Sequence, residues 1–158
     1  MNRFIASVFA AAALASAAFV FASKAAETAP NSNPGAKPIP IRRLFGPEIP
    51  TGPYKHPACF EELANGDLYV VFFSGKGEYG DARASVYGSR RKKGASAWSK
   101  PAVIASNPFH SLGNGVIWQA PDGLVWLFFV SRYGETWCDS RITAKVSRDG
   151  AQTWSEPF

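Results

Sequence analysis

Between Asn65 and Trp154 the chain repeats itself. Asn65-Gly66-Asp67-Leu68-Tyr69-Val70-Val71-Phe72-Phe73 aligns with Asp122-Gly123-Leu124-Val125-Trp126-Leu127-Phe128-Phe129-Val130, with the glycines 57 positions apart. Trp98-Ser99-Lys100-Pro101 aligns with Trp154-Ser155-Glu156-Pro157 at 56, and Ser89-Arg90 with Ser147-Arg148 at 58. A repeat of this length constrains the fold more than any single motif. Each copy is one supersecondary unit that buries its apolar face only against a neighbouring copy.

Each copy reads as four short strands. The first predicts strands over Ala58–Leu63, Leu68–Phe73, Ala84–Ser89 and Ala102–Ala105. The second predicts Val116–Gln119, Val125–Val130 and Ile142–Ser147, with a fourth cut off after Phe158. The second strand of each copy is an unbroken apolar run, too short for a buried helix and suited to a strand covered on both faces. Ala64-Asn65-Gly66-Asp67 and Ala120-Pro121-Asp122-Gly123 read as hairpin turns. The aromatic share of 14% with Gly 14 and Pro 12 fits strands with frequent reversals. The expected fold is all-β, built from β-propeller blades of four antiparallel strands. Two blades alone leave aromatic faces open to water, so the expectation is an incomplete propeller or a chain that self-assembles.

The N-terminus reads as an address. Arg3 precedes an uncharged run from Phe4 to Ala22, and Ser23-Lys24-Ala25 offers small residues at a peptidase site. This predicts a signal peptide over 1–25, cleavage after Ala25, and a secreted or periplasmic product. Nineteen uncharged residues also reach the length of a minimal membrane span, but the run is Ala-rich and modestly hydrophobic. No stable membrane span is expected after cleavage. Residues 26–53 read as a linker because seven prolines block helix and central strand alike. Within it Ile39, Ile41, Leu44 and Phe45 are candidates to dock on the domain, which is placed at 54–158. Without Arg3 and Lys24 the formal charge falls from +5 to +3, too little to argue for nucleic acid. Two cysteines and two histidines leave little room for a zinc cluster, and no metal or cofactor is expected. Cys59 and Cys138 fall on different repeats, and their pairing is left open.

Ser147-Arg148-Asp149-Gly150-Ala151-Gln152-Thr153-Trp154 resembles the Asp-box of bacterial sialidases, Ser-x-Asp-x-Gly-x-Thr-Trp. Ala151 stands where Gly is usual, with Gly150 one place early. The first repeat carries a decayed copy from Ser89 to Trp98, two residues longer and with basic residues in place of the Asp. From about Tyr54 to Phe158 the chain is similar to the first two blades of a sialidase-like propeller with BNR repeats. The resemblance implies a fragment of a six-bladed propeller and a glycoside hydrolase acting on acidic glycans. It makes Ser147, Asp149, Gly150, Thr153 and Trp154 structural, with the Trp packed beneath the turn.

The resemblance also points to site residues. Tyr54-Lys55-His56-Pro57 stands where such sialidases have Tyr-Arg-Ile-Pro, whose Arg helps clamp the substrate carboxylate. Lys55 is a point charge without the guanidinium fork. His56 is a candidate acid/base or donor. The family's acid/base Asp lies in the loop after the second strand of the first blade, where Asp81 is the best match and Glu78 the reserve. Lys76 and Arg83 in that loop are candidates to pair with an acidic substrate. The loop also holds a literal G-x-G-x-x-G, but a strand rather than a helix follows it, which excludes the nucleotide reading. In the second repeat Tyr133 and Trp137 are candidates to stack on a sugar, and Arg132 and Arg141 to bind a carboxylate. Asn114 is expected near the same central region. The Tyr/Glu nucleophile pair and further arginines are expected from later blades. Trp118, Trp126 and the Phe runs read as core, Arg90-Arg91-Lys92-Lys93 as a solvated hairpin tip, and His110 as exposed. The alternatives to a hydrolase are a carbohydrate-binding propeller and a truncated, inactive product.

Overall fold

The computed structural model describes residues 41–79 and 83–158. The expected signal peptide, the expected linker as far as Pro40 and the segment Gly80-Asp81-Ala82 lie outside the described residues. The described chain is all-β. One antiparallel sheet holds β1 (Tyr54–Glu62), β2 (Leu68–Gly75), β3 (Ser85–Arg91) and β4 (Ala102–Ala105), in that order. The other holds β5 (Leu112–Gln119), β6 (Val125–Arg132) and β7 (Ser140–Ser147).

All seven expected strands form, and several run longer than the sequence reading. β1 starts at Tyr54 because the ladder to β2 continues through a register shift between His56 and Ala58. Pro57, which has no N–H to give, sits in that shift. β5 starts at Leu112 through a second shift between Gly113 and Val116, where Asn114 adopts φ +47. Past β7, Phe158 exchanges two backbone hydrogen bonds with Ala144, at 2.8 and 3.0 Å. The expected fourth strand of the second repeat therefore starts to pair there.

The sheets pack face to face, with β1 and β2 against β5. Tyr69, Val71 and Val86 of the first sheet share one core with Ile117, Val125, Leu127 and Phe129 of the second. Gly115 lets the two sheets approach, since a Cβ there would lie 3.1 Å from Val86 Cγ1. β2 is covered on both faces as expected. Phe72 on its far side is capped by Phe45 at 4.9 Å and by Tyr87 at 5.6 Å between ring centroids. Of the four docking candidates in the linker, Phe45 alone reaches the domain in this way, while Ile41 and Leu44 are exposed and Ile39 lies outside the described residues.

β6 departs from that expectation. Val125, Leu127 and Phe129 are buried, while Trp126, Phe128 and Val130 on the alternate face are only half-buried. Trp118 on β5 is 47% exposed. The tryptophans expected in the core thus lie outward, because no described element covers that face. Arg90 is also not a solvated tip residue: its side chain is 13% exposed and paired to Asp67. His110 is half-buried rather than exposed.

The two repeats superpose more closely than the sequence suggests. β2 pairs Leu68 with Arg91, and β6 pairs Val125 with Ser147. Aligning Leu68 with Val125 therefore equates Arg91 with Ser147 and Trp98 with Trp154. The turn from third to fourth strand has one length in both repeats, and the expected two-residue insertion is absent. Gly94 and Gly150 fall at the same position, with φ +76 and +68. In the second turn Ser147 Oγ donates to Asp149 Oδ1 at 2.7 Å and accepts from the Ala151 N–H at 2.8 Å. Asp149 accepts from Thr153 Oγ1 at 2.5 Å and from the Thr153 and Gln152 N–H groups. Those bonds, the Thr153 hydroxyl first, hold the Asp149 carboxyl well below the usual range. Trp154 packs beneath the turn onto the core and lies edge-on to Tyr69 at 6.5 Å.

Candidate functional site

At one end of the two sheets, the first residues of β1 and β5 meet the last residues of β2 and β6. A buried arginine organises this junction. Arg132, the last residue of β6, has a side chain only 1% exposed. Its Nη2 donates to Glu78 Oε1 at 2.8 Å, and its Nη1 donates to the Leu112 carbonyl at 3.0 Å. The guanidinium lies 5.0–5.2 Å from the ring centres of Phe73, Tyr79 and Trp137. A cation so enclosed needs both a counter-charge and aromatic faces to offset lost hydration. Gly113 makes the space: a Cβ there would clash with the guanidinium.

Glu78 is the other half of the junction. Its Oε2 accepts a hydrogen bond from the Tyr54 hydroxyl at 2.9 Å. That bond is the main cause of an upward shift of the Tyr54 phenol, because the neighbouring carboxylate resists a second negative charge. The Glu78 carbonyl accepts from Ser111 Oγ, which in turn accepts the Ala84 N–H. The loop after β2 is therefore fastened to the second sheet through Glu78 at both its side chain and its backbone. Both carboxylate oxygens are committed to other groups, which fits an anchoring role better than proton donation.

The structure brings some of the expected site residues together and separates others. Glu78, Arg132 and Trp137 meet, joined by Tyr54. His56 is exposed beside them, its ring 6.2 Å from Tyr54 and 6.0 Å from Phe73. Lys55 Nζ turns back to the Gly52 carbonyl at 2.5 Å. Lys76 and Arg83 are exposed at a cleft of about 460 Å³. Asn114 is half-buried on the β5 bulge. Asp81 lies outside the described residues.

Tyr133 and Arg141 lie elsewhere. They line a larger cleft of about 930 Å³ between the β4 and β7 edges, together with Ser131, Lys145 and Phe158. The His110 ring packs tilted against Tyr133 at 4.2 Å between centroids, and the Arg141 guanidinium lies 6.0 Å from the same ring. Tyr133 thus turns to this cleft and Trp137 of the same loop to the junction. Cys59 and Cys138 are both free thiols. Among the described residues no three His, Cys, Asp or Glu side chains gather to hold a metal.

The sequence reading missed Tyr54, Phe73, Tyr79 and Gly113 as parts of the junction. Gly113 carried a readable signal, since Gly inside a strand marks a close approach. The contacts among the others depend on how the two sheets face each other.

No curated protein matches this chain. A solved structure, the Hadza microbial sialidase Hz136, shares the fold with a TM-score of 0.55 at 15% identity. That likeness covers 66% of this chain and 25% of that chain, so the described fold spans about a quarter of that sialidase's length. The family described as BNR repeat-like domain matches residues 66–158, more than half of the sequence. With its two matching sheets and a sialidase-like fold, the chain belongs to the BNR repeat-like domain family.

Proposed function

We propose that this protein is an exported sialidase-like glycoside hydrolase acting on acidic glycans, with its two sheets forming the first two blades of a propeller. The Arg132–Glu78–Tyr54 junction carries the reading. It fastens the loop after β2, which carries Lys76 and Arg83 and contains Asp81, at the end of the sheets where His56 lies beside Tyr54. A carboxylic acid in that loop suits protonation of a glycosidic oxygen on an anionic sugar. In this reading Asp81 is the acid/base and Lys76 and Arg83 attract the substrate charge. Glu78 positions the loop, and His56 is a second proton carrier. Lys55 does not act as a clamp, because its ammonium is spent on Gly52. The signal peptide places the product outside the cytoplasm with Ala26 as its first residue.

The test is release of chromophore from aryl glycosides of sialic, glucuronic and galacturonic acid by the native full-length protein, later blades included. Hydrolysis of one of them, lowered by about 100-fold or more in Asp81→Asn, is the expected result. No release from any of the three overturns the hydrolase reading. A second reading, sugar binding without hydrolysis, draws on the Tyr133, His110 and Arg141 cluster at the larger cleft. Undiminished binding of the same sugars without turnover favours it.

A further inference from the structure

At the end of the sheets opposite the junction, the two repeats differ sharply in charge. The turn from β3 to β4 carries Arg91, Lys92 and Lys93, with Arg90 before it and Lys100 after it. By ladder register their counterparts are Ser147, Arg148, Asp149, Val146 and Glu156. With Asp67 set against Leu124, five bases and one acid give the first turn a formal charge of +4. One base and two acids give the second −1. The fold does not require this excess. A turn of the same length forms in the second repeat around its own acid. The first turn has Lys93 in that place and takes its acceptor from Asp67 instead. Like charges gathered in one turn repel one another, so the excess costs stability unless a partner uses it.

Asp67 cannot neutralise the rest. Its side chain is 5% exposed and already holds the Lys93 N–H, Arg90 and Lys92. Arg91, Lys93, Lys100 and Arg148 of the adjoining turn have no carboxylate within 4.0 Å among the described residues. Glu62, at the end of β1, stands two strands from Arg91, about 10 Å away along the ladder. The Lys92 side chain is 72% exposed, and a Cβ at Gly94 would meet nothing within 4 Å. The charged turn therefore projects into solvent.

That shape decides between polyanions. A nucleic acid is read by elements that enter a groove or by open aromatic faces that stack on bases. Here Trp98 carries the Arg91 guanidinium over its ring at 5.8 Å. Lysines are point charges on flexible stems, suited to a fluid layer of phosphates rather than to one fixed geometry. A half-buried indole beside them suits the same layer.

We propose that this turn docks the protein on a membrane surface of anionic phospholipids, with Lys92, Lys93 and Lys100 among the headgroup phosphates. The junction then faces away from the membrane. The docking does not depend on the hydrolase reading. It is screened attraction, so it weakens as salt rises.

The experiment is co-sedimentation of the native full-length protein with vesicles of phosphatidylglycerol and phosphatidylcholine in equal parts, and with vesicles of phosphatidylcholine alone. A duplex oligonucleotide is titrated in parallel at the same salt. Binding to the anionic vesicles only is the expected result. Each base removed weakens it roughly fivefold, so Lys92→Ala/Lys93→Ala weakens it about 25-fold. Lys93→Asp/Lys100→Glu, which copies the second turn, weakens it further. Lys93→Ala keeps the backbone N–H that Asp67 accepts, and a melting curve checks each protein. Arg42→Ala/Arg43→Ala, exposed and outside the turn, removes the same charge and leaves binding unchanged. Equal binding by wild type and Lys92→Ala/Lys93→Ala overturns the docking turn. Equal weakening by the Arg42/Arg43 pair does so too, since net charge alone would then explain binding. Neutral vesicles bound as tightly as anionic ones also overturn it. Tighter binding of the duplex than of the anionic vesicles overturns the membrane as partner. None of these readouts involves turnover, so a failed hydrolysis assay leaves the docking standing.

Discussion

The two turns that close the repeats, Arg91–Trp98 and Ser147–Trp154, have one length and one glycine position but solve the same problem differently. Turn N–H groups need an acceptor. In the second turn Asp149 supplies it from within, assisted by Ser147 and Thr153. In the first turn the equivalent residues are Arg91, Lys93 and Ala97, and none of them carries a carboxylate. Asp67, from the preceding hairpin, fills the gap. Its Oδ1 accepts from the Lys93 N–H at 2.9 Å, and its Oδ2 pairs with Arg90 at 2.9 Å and with Lys92 at 3.4 Å. In the second repeat the position of Asp67 is Leu124, so each repeat has one acid for the task. The fold requires a carboxylate beneath the turn and is indifferent to which segment brings it. Moving it to Asp67 lets Arg90 also reach the Gly150 carbonyl, which ties the first turn to the second.

The comparison breaks first at the tryptophans. Trp154 packs on the shared core and Tyr69, while Trp98 has the Arg91 guanidinium over its ring at 5.8 Å. Trp154→Ala is expected to cost about 3 kcal/mol in urea unfolding, and Trp98→Ala about 1 kcal/mol. Equal losses would show that the turns are anchored alike.

The acids come next. Asp67→Asn leaves the largely covered Arg90 without its carboxylate and is expected to lower the melting midpoint more than Asp149→Asn, whose turn is exposed. Their pH dependence sharpens the point. The Lys93 N–H and then Arg90 hold the Asp67 carboxyl at about 2, against an ordinary 3.8. A lowered value in the folded state means the stabilisation is complete above about pH 4 and is lost as pH falls toward 2. Asp67→Asn should flatten that part of an acid titration of stability. A wild-type slope in the variant would remove Asp67 from the turn's support.

How much of this the sequence discloses depends on the range of each interaction. Strand positions and hairpins were legible because Gly66 and Gly123, with the apolar runs after them, are local signals. The in-turn network of Asp149 was legible for the same reason, since its partners lie within four residues. The role of Asp67 was not, because its partner Lys93 is 26 residues away and the ladder register decides the contact. The apparent insertion in the first turn came from matching Ser89 with Ser147 by letter, whereas the ladder matches Arg91 with it. At the site, Glu78 and Arg132 were both named as candidates, yet their pairing across 54 residues was not. The outward Trp118 shows the limit of composition: a large apolar residue is buried only where another element covers it.

The smallest expected effect is also the most specific to the comparison. Ala151 holds φ +64, in the left-handed region where a Cβ crowds the backbone, whereas its counterpart Ala95 is not among the residues with positive φ. Glycine removes that crowding but adds unfolded-state entropy, so the sign of the change depends on the backbone at each site. At Ala151 the relief of roughly 1–2 kcal/mol exceeds the entropy and the lost methyl contact, so Ala151→Gly should gain about 0.5 kcal/mol. At Ala95 there is no crowding to relieve, and Ala95→Gly should lose about 0.5–1 kcal/mol. Opposite signs in paired thermal melts are the expected outcome. A loss at both positions would mean that the Ala151 methyl, buried at 5% exposure, contributes more by packing than its backbone costs in strain. The second turn would then be held by its core contacts as well as by its carboxylate, and the difference between the two repeats would lie in packing rather than in where the acid comes from.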